Sequence, residues 1–343
     1  MSFADEMRTE LARALKAQAD VPIAEDKIPE FHPIQPADDV REMIAADGSY
    51  SFLLNLSSWW LAIVSVGLLK FGFDGAAYHR RKDRLEMDVI GVSTWDEDVT
   101  GQDELHRALY EFTEGTPTDQ RHREMVNEYR RLLEGKYAIE FATDERDCIV
   151  AVDGALQEFP KSFEFMDKLA KMCEERGHVL VGISKDSNLH GFGHPLTDEE
   201  FLRRCEPLVG NGPAFVKAPA AVHTAHRGLL YGDIYYAKFH AQAPKWFRVD
   251  IGTHRKNPEQ VFSQLAPYCR FLTSVGYPMP LLEAHRMAVT VRQMRAMHLE
   301  LVIREARRMG MDIRQVLDGL TAMEGRRAGA FHEYLDRVSR GLR

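Results

Sequence analysis

Apolar residues at Phe3, Met7, Leu11 and Leu15, with Glu6, Arg8, Glu10 and Lys16 between them, keep the four-residue spacing of an amphipathic helix. A stretch carrying Pro22, Pro29, Pro33 and Pro36 then sets that helix apart, free to meet a partner, a second subunit or the sheet. From Glu42 to Val92 the pattern becomes strand-like: a strand around Asp47, an apolar run over 59–69 and another strand over 85–92 predict an antiparallel meander. The basic stretch 78–84 between the later strands reads as a hairpin tip. Two helices follow, over about 103–112 and 118–141. The longer buries a stripe of Met125, Tyr129, Leu132, Leu133, Tyr137 and Phe141.

Residues 148–153 form a β-branched, apolar run that ends in Asp153 and turns at Gly154, the pattern of a buried central strand. A helix over 163–173 and a second buried strand over 178–184 complete a strand–helix–strand unit. Parallel strands share direction, so Lys185 should leave the sheet on the same edge as Asp153. A hairpin of strands over 229–240 and 245–251 carries Lys238, Arg248 and Asp250. From Glu259 onward the pattern is helical, broken at Gly276-Tyr277-Pro278-Met279-Pro280. The pattern at Asp153 has an earlier copy, Ile44-Ala45-Ala46-Asp47-Gly48-Ser49, so two strands are expected to offer one acid each to a shared cation. Asp-Gly is also an ordinary turn, as at Asp74-Gly75 and Asp318-Gly319.

Composition narrows the classes. With 343 residues, 45% of them hydrophobic and 28% charged, the chain buries a sizeable core. Cys148, Cys173, Cys205 and Cys269 are too widely spaced for a zinc or redox motif, and no basic, apolar leader follows Met1; both point to a reducing cytoplasm. The 59–69 run is too short to span a bilayer, so no membrane partner is expected. The net charge of −8 excludes a uniformly cationic coat, but from Ala284 on there are twelve arginines and no lysine against seven acids. Arg286, Arg292 and Arg295 follow His285 along one expected helix, within about 2–15 Å of it on the axis, and are candidates for phosphate contact.

Taken in order, Asp47-Gly48-Ser49, Arg130 with Glu134, Asp153-Gly154-Ala155-Leu156, Gly182-Ile183-Ser184-Lys185, Phe247-Arg248-Val249-Asp250 and Gly276-Tyr277-Pro278 with Pro280-Leu281 and Ala284-His285 resemble the NurA nuclease family over about residues 40–300. Ala155 departs from the Ser often found there. The resemblance implies an α/β fold, a ribonuclease-H-like mixed sheet flanked by helices, with an added N-terminal helix and a helical C-terminal region. It divides the chain into an N-terminal helix and linker (1–39), a nuclease domain (40–300) and basic C-terminal helices packed on that domain (301–343). It further implies a homodimer that cleaves DNA with manganese, or magnesium, in end processing beside a HerA-type hexameric ATPase. Carried over by motif, Asp47, Glu134, Asp153 and His285 form the metal-binding, catalytic set. Glu124, Glu128 and Glu140 share the helix of Glu134 and compete for its place.

The chemistry suits these residue types. Hard divalent ions prefer carboxylate oxygens, and a pair of them about 3.5–4 Å apart stabilises both the attacking and the leaving oxygen of a phosphodiester. An imidazole among the carboxylates favours manganese. Lys185 and Arg248 are candidates to hold the scissile or a neighbouring phosphate. An actin-like phosphotransferase would need a glycine-rich phosphate loop, and none is present. The remaining rival is a non-catalytic scaffold that stimulates a motor ATPase. The two readings separate on whether Asp47, Glu134, Asp153 and His285 converge.

Overall fold

The structure is a computed structural model that describes residues 2–19, 23, 27–55, 59–93, 118–156, 165–225, 230–253 and 257–311. Its strands form a mixed sheet with helices against it, and the chain divides into two compact units. One unit comprises 41–153, 157–181 and 280–343; the other comprises 1–40, 154–156 and 182–279. The expected helix near 103–112 lies outside the described residues.

The first unit is built on the meander: β2 (Met43–Asn55), β3 (Trp59–Phe73) and β4 (Tyr78–Ser93) pair antiparallel, preceded in the chain by the two-residue β1 (His32–Pro33). Helix α2 (Thr118–Ala142) follows, after the N-terminal α1 (Phe3–Ala19), and then β5 (Ile149–Asp153). β5 pairs parallel to β2 through Met43↔Ile149 to Ala46↔Val152, where the ladder ends. Asp47 and Asp153 are therefore the next residues on neighbouring strands. Burying both faces explains the near-continuous apolar text: Met43 to Ala46 and Ile149 to Ala151 are at most 1% exposed. After α3 (Phe165–Glu175), β6 (Val179–Ser184) begins beside β5, with Val179 N–H donating to Cys148 O at 2.9 Å.

Two expectations change here. Asp47-Gly48 is not a strand end, because β2 runs eight residues past Asp47. The basic stretch 78–84 is not a hairpin tip. The turn is made at Asp74–Ala77, where Asp74 Oδ1 accepts from the N–H groups of Ala76 and Ala77 at 3.0 and 2.8 Å, and the basic residues run on into β4. Period-2 alternation then lays Lys82 over the Phe141 ring at 4.3 Å and Arg84 against Glu140 and Tyr137 of α2. These cations are tied to the helix they cover.

The second unit carries α4 (Asp198–Val209), β7 (Ala214–Lys217), α5 (Ala221–Ala225), β8 (Asp233–Lys238), β9 (Phe247–Ile251) and α6 (Pro258–Leu265), with β1, β7, β8 and β9 paired antiparallel in that order. Thr197 and Glu200 close a capping box at the start of α4. Its core packs Phe201, Leu202, Tyr236 and Trp246, and the buried tyrosine hydroxyl donates to Asp198 at 2.8 Å. Of the apolar stripe of α1, Phe3, Met7 and Leu11 are open, at 81, 56 and 58% exposure. These three residues are therefore not buried on the sheet.

The expected long C-terminal helix is three pieces: α7 (Met279–Ala288), α8 (Thr290–Gln293) and α9 (Arg295–Arg308). His285 and Arg286 share α7, Arg292 lies on α8, and Arg295 opens α9. Among the described residues no helix is long and apolar enough to cross a membrane. All four cysteines are buried and free, and burial pushes the Cys148 and Cys205 thiols up to about 11 and Cys173 to about 12, which suits packing and not redox chemistry.

Candidate metal centre

The site is assembled on β2 by two glycines that sequence reading did not single out for this purpose. Gly67 lies opposite Asp47 in the β2–β3 ladder, so the two residues share a face of the sheet. A Cβ at Gly67 would come within 2.5 Å of Ala284 O and 3.1 Å of Met287 Cβ. Its absence lets α7 lie directly on β3, and Ser65 Oγ secures the contact by donating to Ala288 O at 2.7 Å. The next residue of α7, His285, thereby reaches Asp47, Nδ1 to Oδ2 at 2.7 Å. Gly48 points to the opposite face. A Cβ there would meet the Glu134 carboxylate and, at 2.8 Å, Arg130 Cγ, so Gly48 admits α2 against the strand.

Ligand atoms of Asp47, Asp153 and His285 all lie within 4.8 Å of one another. Asp47 is 2% exposed, while the His285 side chain is 42% exposed and opens the group to solvent. Two carboxylates and an imidazole are donors that a divalent ion of the manganese or magnesium kind accepts. The 2.7 Å between His285 Nδ1 and Asp47 Oδ2 serves a hydrogen bond and is also short enough for both atoms to face one ion. The residues present fit the metal that the family resemblance implies.

Glu134 stands outside this group, on the Gly48 side of β2, 2% exposed and ion-paired with Arg130 one turn earlier on α2. Burial pushes its carboxyl up to about 7; Arg130 works against the rise and the charges of Asp47 and Asp153 add to it. Its competitors on the helix are placed elsewhere: Glu124 is exposed, Glu128 faces Arg131 at 3.8 Å, and Glu140 faces Arg84 at 3.4 Å. Packing, and not sequence spacing, is what distinguishes Glu134.

The expected phosphate contacts divide. Arg248 is 6% exposed, and its Nε and Nη2 fork onto Asp250 at 2.7 Å each, while Asp250 also accepts from Leu156 N–H at 3.0 Å. It is an internal tie within the second unit and not an open cation. Lys185 belongs to the same unit and lies 5.3 Å from the centre of the Tyr277 ring. Arg286 is 56% exposed and touches Glu283. Arg292 and Arg295 each give Nε to a β2 carbonyl, Tyr50 O at 3.2 Å and Phe52 O at 3.0 Å, beyond the reach of β5.

No family model matches the chain, and no curated protein does. Solved structures do. The NurA nuclease from Sulfolobus solfataricus overlays with a TM-score of 0.52 at 14% identity, covering 89% of this chain and 95% of that one. A second NurA structure gives 0.47 at 11% over 83% and 92%, and the Endonuclease V of Bacillus subtilis gives 0.41 at 12% over 79% and 88%. A mixed sheet with flanking helices, matched along nearly its whole length, gives this chain the fold of the Sulfolobus NurA nuclease.

Proposed function

We propose that the chain is a metal-dependent nuclease that hydrolyses phosphodiester bonds of DNA, with manganese, or magnesium, held by Asp47, Asp153 and His285. The observation that carries this reading is the convergence of those three side chains from β2, β5 and α7, separated by up to 238 residues in sequence, at strand positions where the parallel ladder stops. A scaffold that had only kept the fold would have no reason to retain two carboxylates and an imidazole in one open group. Likeness to nuclease structures accords with the same reading.

A bound divalent ion would polarise the scissile phosphate and lower the charge that repels it. The chain's own residues do the rest. The half-open His285 marks the side from which substrate enters. Exposed Arg286, one residue beyond, would hold a flanking phosphate, and the guanidinium charges of Arg292 and Arg295 would extend that positive edge. The proposal includes work in DNA end processing with a HerA-type ATPase, a cytoplasmic setting and a homodimer. The open apolar stripe of α1 supports the last of these.

The test is cleavage of labelled single- and double-stranded DNA by purified protein in manganese, in magnesium and in excess chelator. Cleavage should need one of the two ions, and Asp153→Asn should abolish it with the circular dichroism spectrum unchanged. Full activity in chelator, or a wild-type rate for Asp153→Asn in manganese, refutes the proposal.

A further inference from the structure

The chain that follows Asp153 is held within the second unit. Gly154 sits at φ +103°, in the left-handed region, and its N–H donates to Ile183 O at 2.9 Å. Leu156 O accepts from Tyr231 N–H at 3.0 Å. Gly182 lets this turn lie on β6, since a Cβ there would come within 2.7 Å of Gly154 O and 2.9 Å of Leu156 N. Both hydrogen bonds join backbone groups. The bond at Leu156 N–H differs, because its acceptor is a side chain, the Asp250 carboxylate, with Oδ2 at 3.0 Å.

Asp250 is built as a fixed acceptor. It lies on β9, opposite Ile234 of β8, with no exposed surface, and Arg248 forks onto both of its oxygens at 2.7 Å. Burial pushes its carboxyl up to about 6, while Arg248 and the Leu156 N–H both favour the charged form. A buried pair of this kind gains little stability over apolar residues of similar volume, because two charges must leave water. What it does supply is position. A carboxylate tied at both oxygens on a paired strand cannot turn away from the N–H it accepts, and that N–H follows Asp153 by three residues in the chain.

Resting on the reading of Asp47, Asp153 and His285 as the metal group, we propose that Asp250, fixed by Arg248, is a positioning residue for the metal. By holding Leu156 N–H it pins the turn 154–156 and, through the chain, the direction in which Asp153 presents its carboxylate. Asp250 and Arg248 act on the ion only through Asp153.

Manganese affinity of the full chain, with free ion read by electron paramagnetic resonance, tests this without any activity measurement. Two double variants both remove the buried charges and differ in the acceptor alone: Arg248→Met/Asp250→Asn keeps an oxygen for Leu156 N–H, and Arg248→Met/Asp250→Leu does not. The Asn form should bind manganese as wild type does. The Leu form, folded by circular dichroism, should bind about 10–100-fold more weakly, the range typical of losing an outer partner of a metal ligand. Glu206→Gln, which breaks the Lys238–Glu206 pair of the same unit, should lower the urea midpoint and leave the affinity unchanged. Equal affinities of the two double variants, or an equal loss in Glu206→Gln, overturns the positioning role alone. If either double variant does not fold, hydrogen exchange of the wild type decides. Saturating magnesium should slow exchange in the peptide that carries Leu156, because coupling between ion and turn is reciprocal, and unchanged exchange overturns the proposal. A wild type that binds no manganese, or binds it equally well after Asp153→Asn, overturns the metal reading and this proposal with it.

Discussion

A single missing Cβ decides whether His285 reaches Asp47. At Gly67 the neighbour is a backbone carbonyl, Ala284 O, which cannot swing aside as a side chain tip would. Gly67→Ala must therefore push α7 off β3. Overpacking of this kind costs about 1–3 kcal/mol. The urea midpoint should fall accordingly, and manganese affinity should fall with it because His285 moves away from Asp47. A variant as stable as wild type with the same metal affinity would show that α7 is not seated by this glycine. Sequence offered a signal, since a glycine inside an apolar strand run marks a close approach, but nothing in the run of 59–69 says what approaches.

Between elements, α2 and β5 are latched by a buried histidine. Cys148 N–H donates to His178 Nδ1 at 3.0 Å, so the ring's proton sits on Nε2 and donates to Ala142 O at 3.2 Å, joining the end of α2 to the start of β5. Burial lowers the His178 pKa, and Arg176 adds to the lowering; the Ala142 carbonyl, Asp147 and Glu145 oppose it. The sign follows. A histidine whose folded value is depressed contributes stability that is fully present above its unfolded value of about 6.5 and is lost as the pH falls through the lower, folded value. His178→Asn, which keeps an acceptor for Cys148 but does not titrate there, should be less stable than wild type at pH 7.5, and the gap should narrow as the pH falls below 6.5. Urea midpoints over that range would show it, and a gap that does not change would remove the latch.

The helices after α7 grip the sheet by a different device. Past Ala46, β2 has no β5 beside it, and Arg292 and Arg295 cover the carbonyls of Tyr50 and Phe52. Replacing both by Ala should lower stability, each lost bond costing up to about 1.5–3 kcal/mol, the usual range for a hydrogen bond involving a charged group. Arg286→Ala should leave stability unchanged and flatten the salt dependence of DNA binding by about one phosphate contact. Equal effects of all three on stability would show that none is reserved for DNA.

At the scale of the whole molecule, α1 exposes the stripe that its sequence builds for burial, and a lone helix of 17 residues gains little from its own propensity. Phe3→Ser/Met7→Ser/Leu11→Ser should convert a dimer to a monomer by light scattering while leaving manganese binding intact. A variant that remains dimeric would place the interface elsewhere.

What the sequence by itself determined is local. Alternation and β-branched runs specified the meander, the strand ending at Asp153 and the strand after it, because side-chain period dictates which face of an element is buried. The ordered motifs named Asp47, Glu134, Asp153 and His285 as one set, of which Asp47, Asp153 and His285 lie within 4.8 Å of one another. Tertiary packing decided the rest. It carried β2 past Asp47-Gly48, where the text reads as a turn, because β3 pairs along its full length. It set Glu134 behind the strand with Arg130 and turned Arg248 inward onto Asp250. Periodicity tells a residue which way to face but not what stands opposite, and that depends on where glycines let helices approach the sheet.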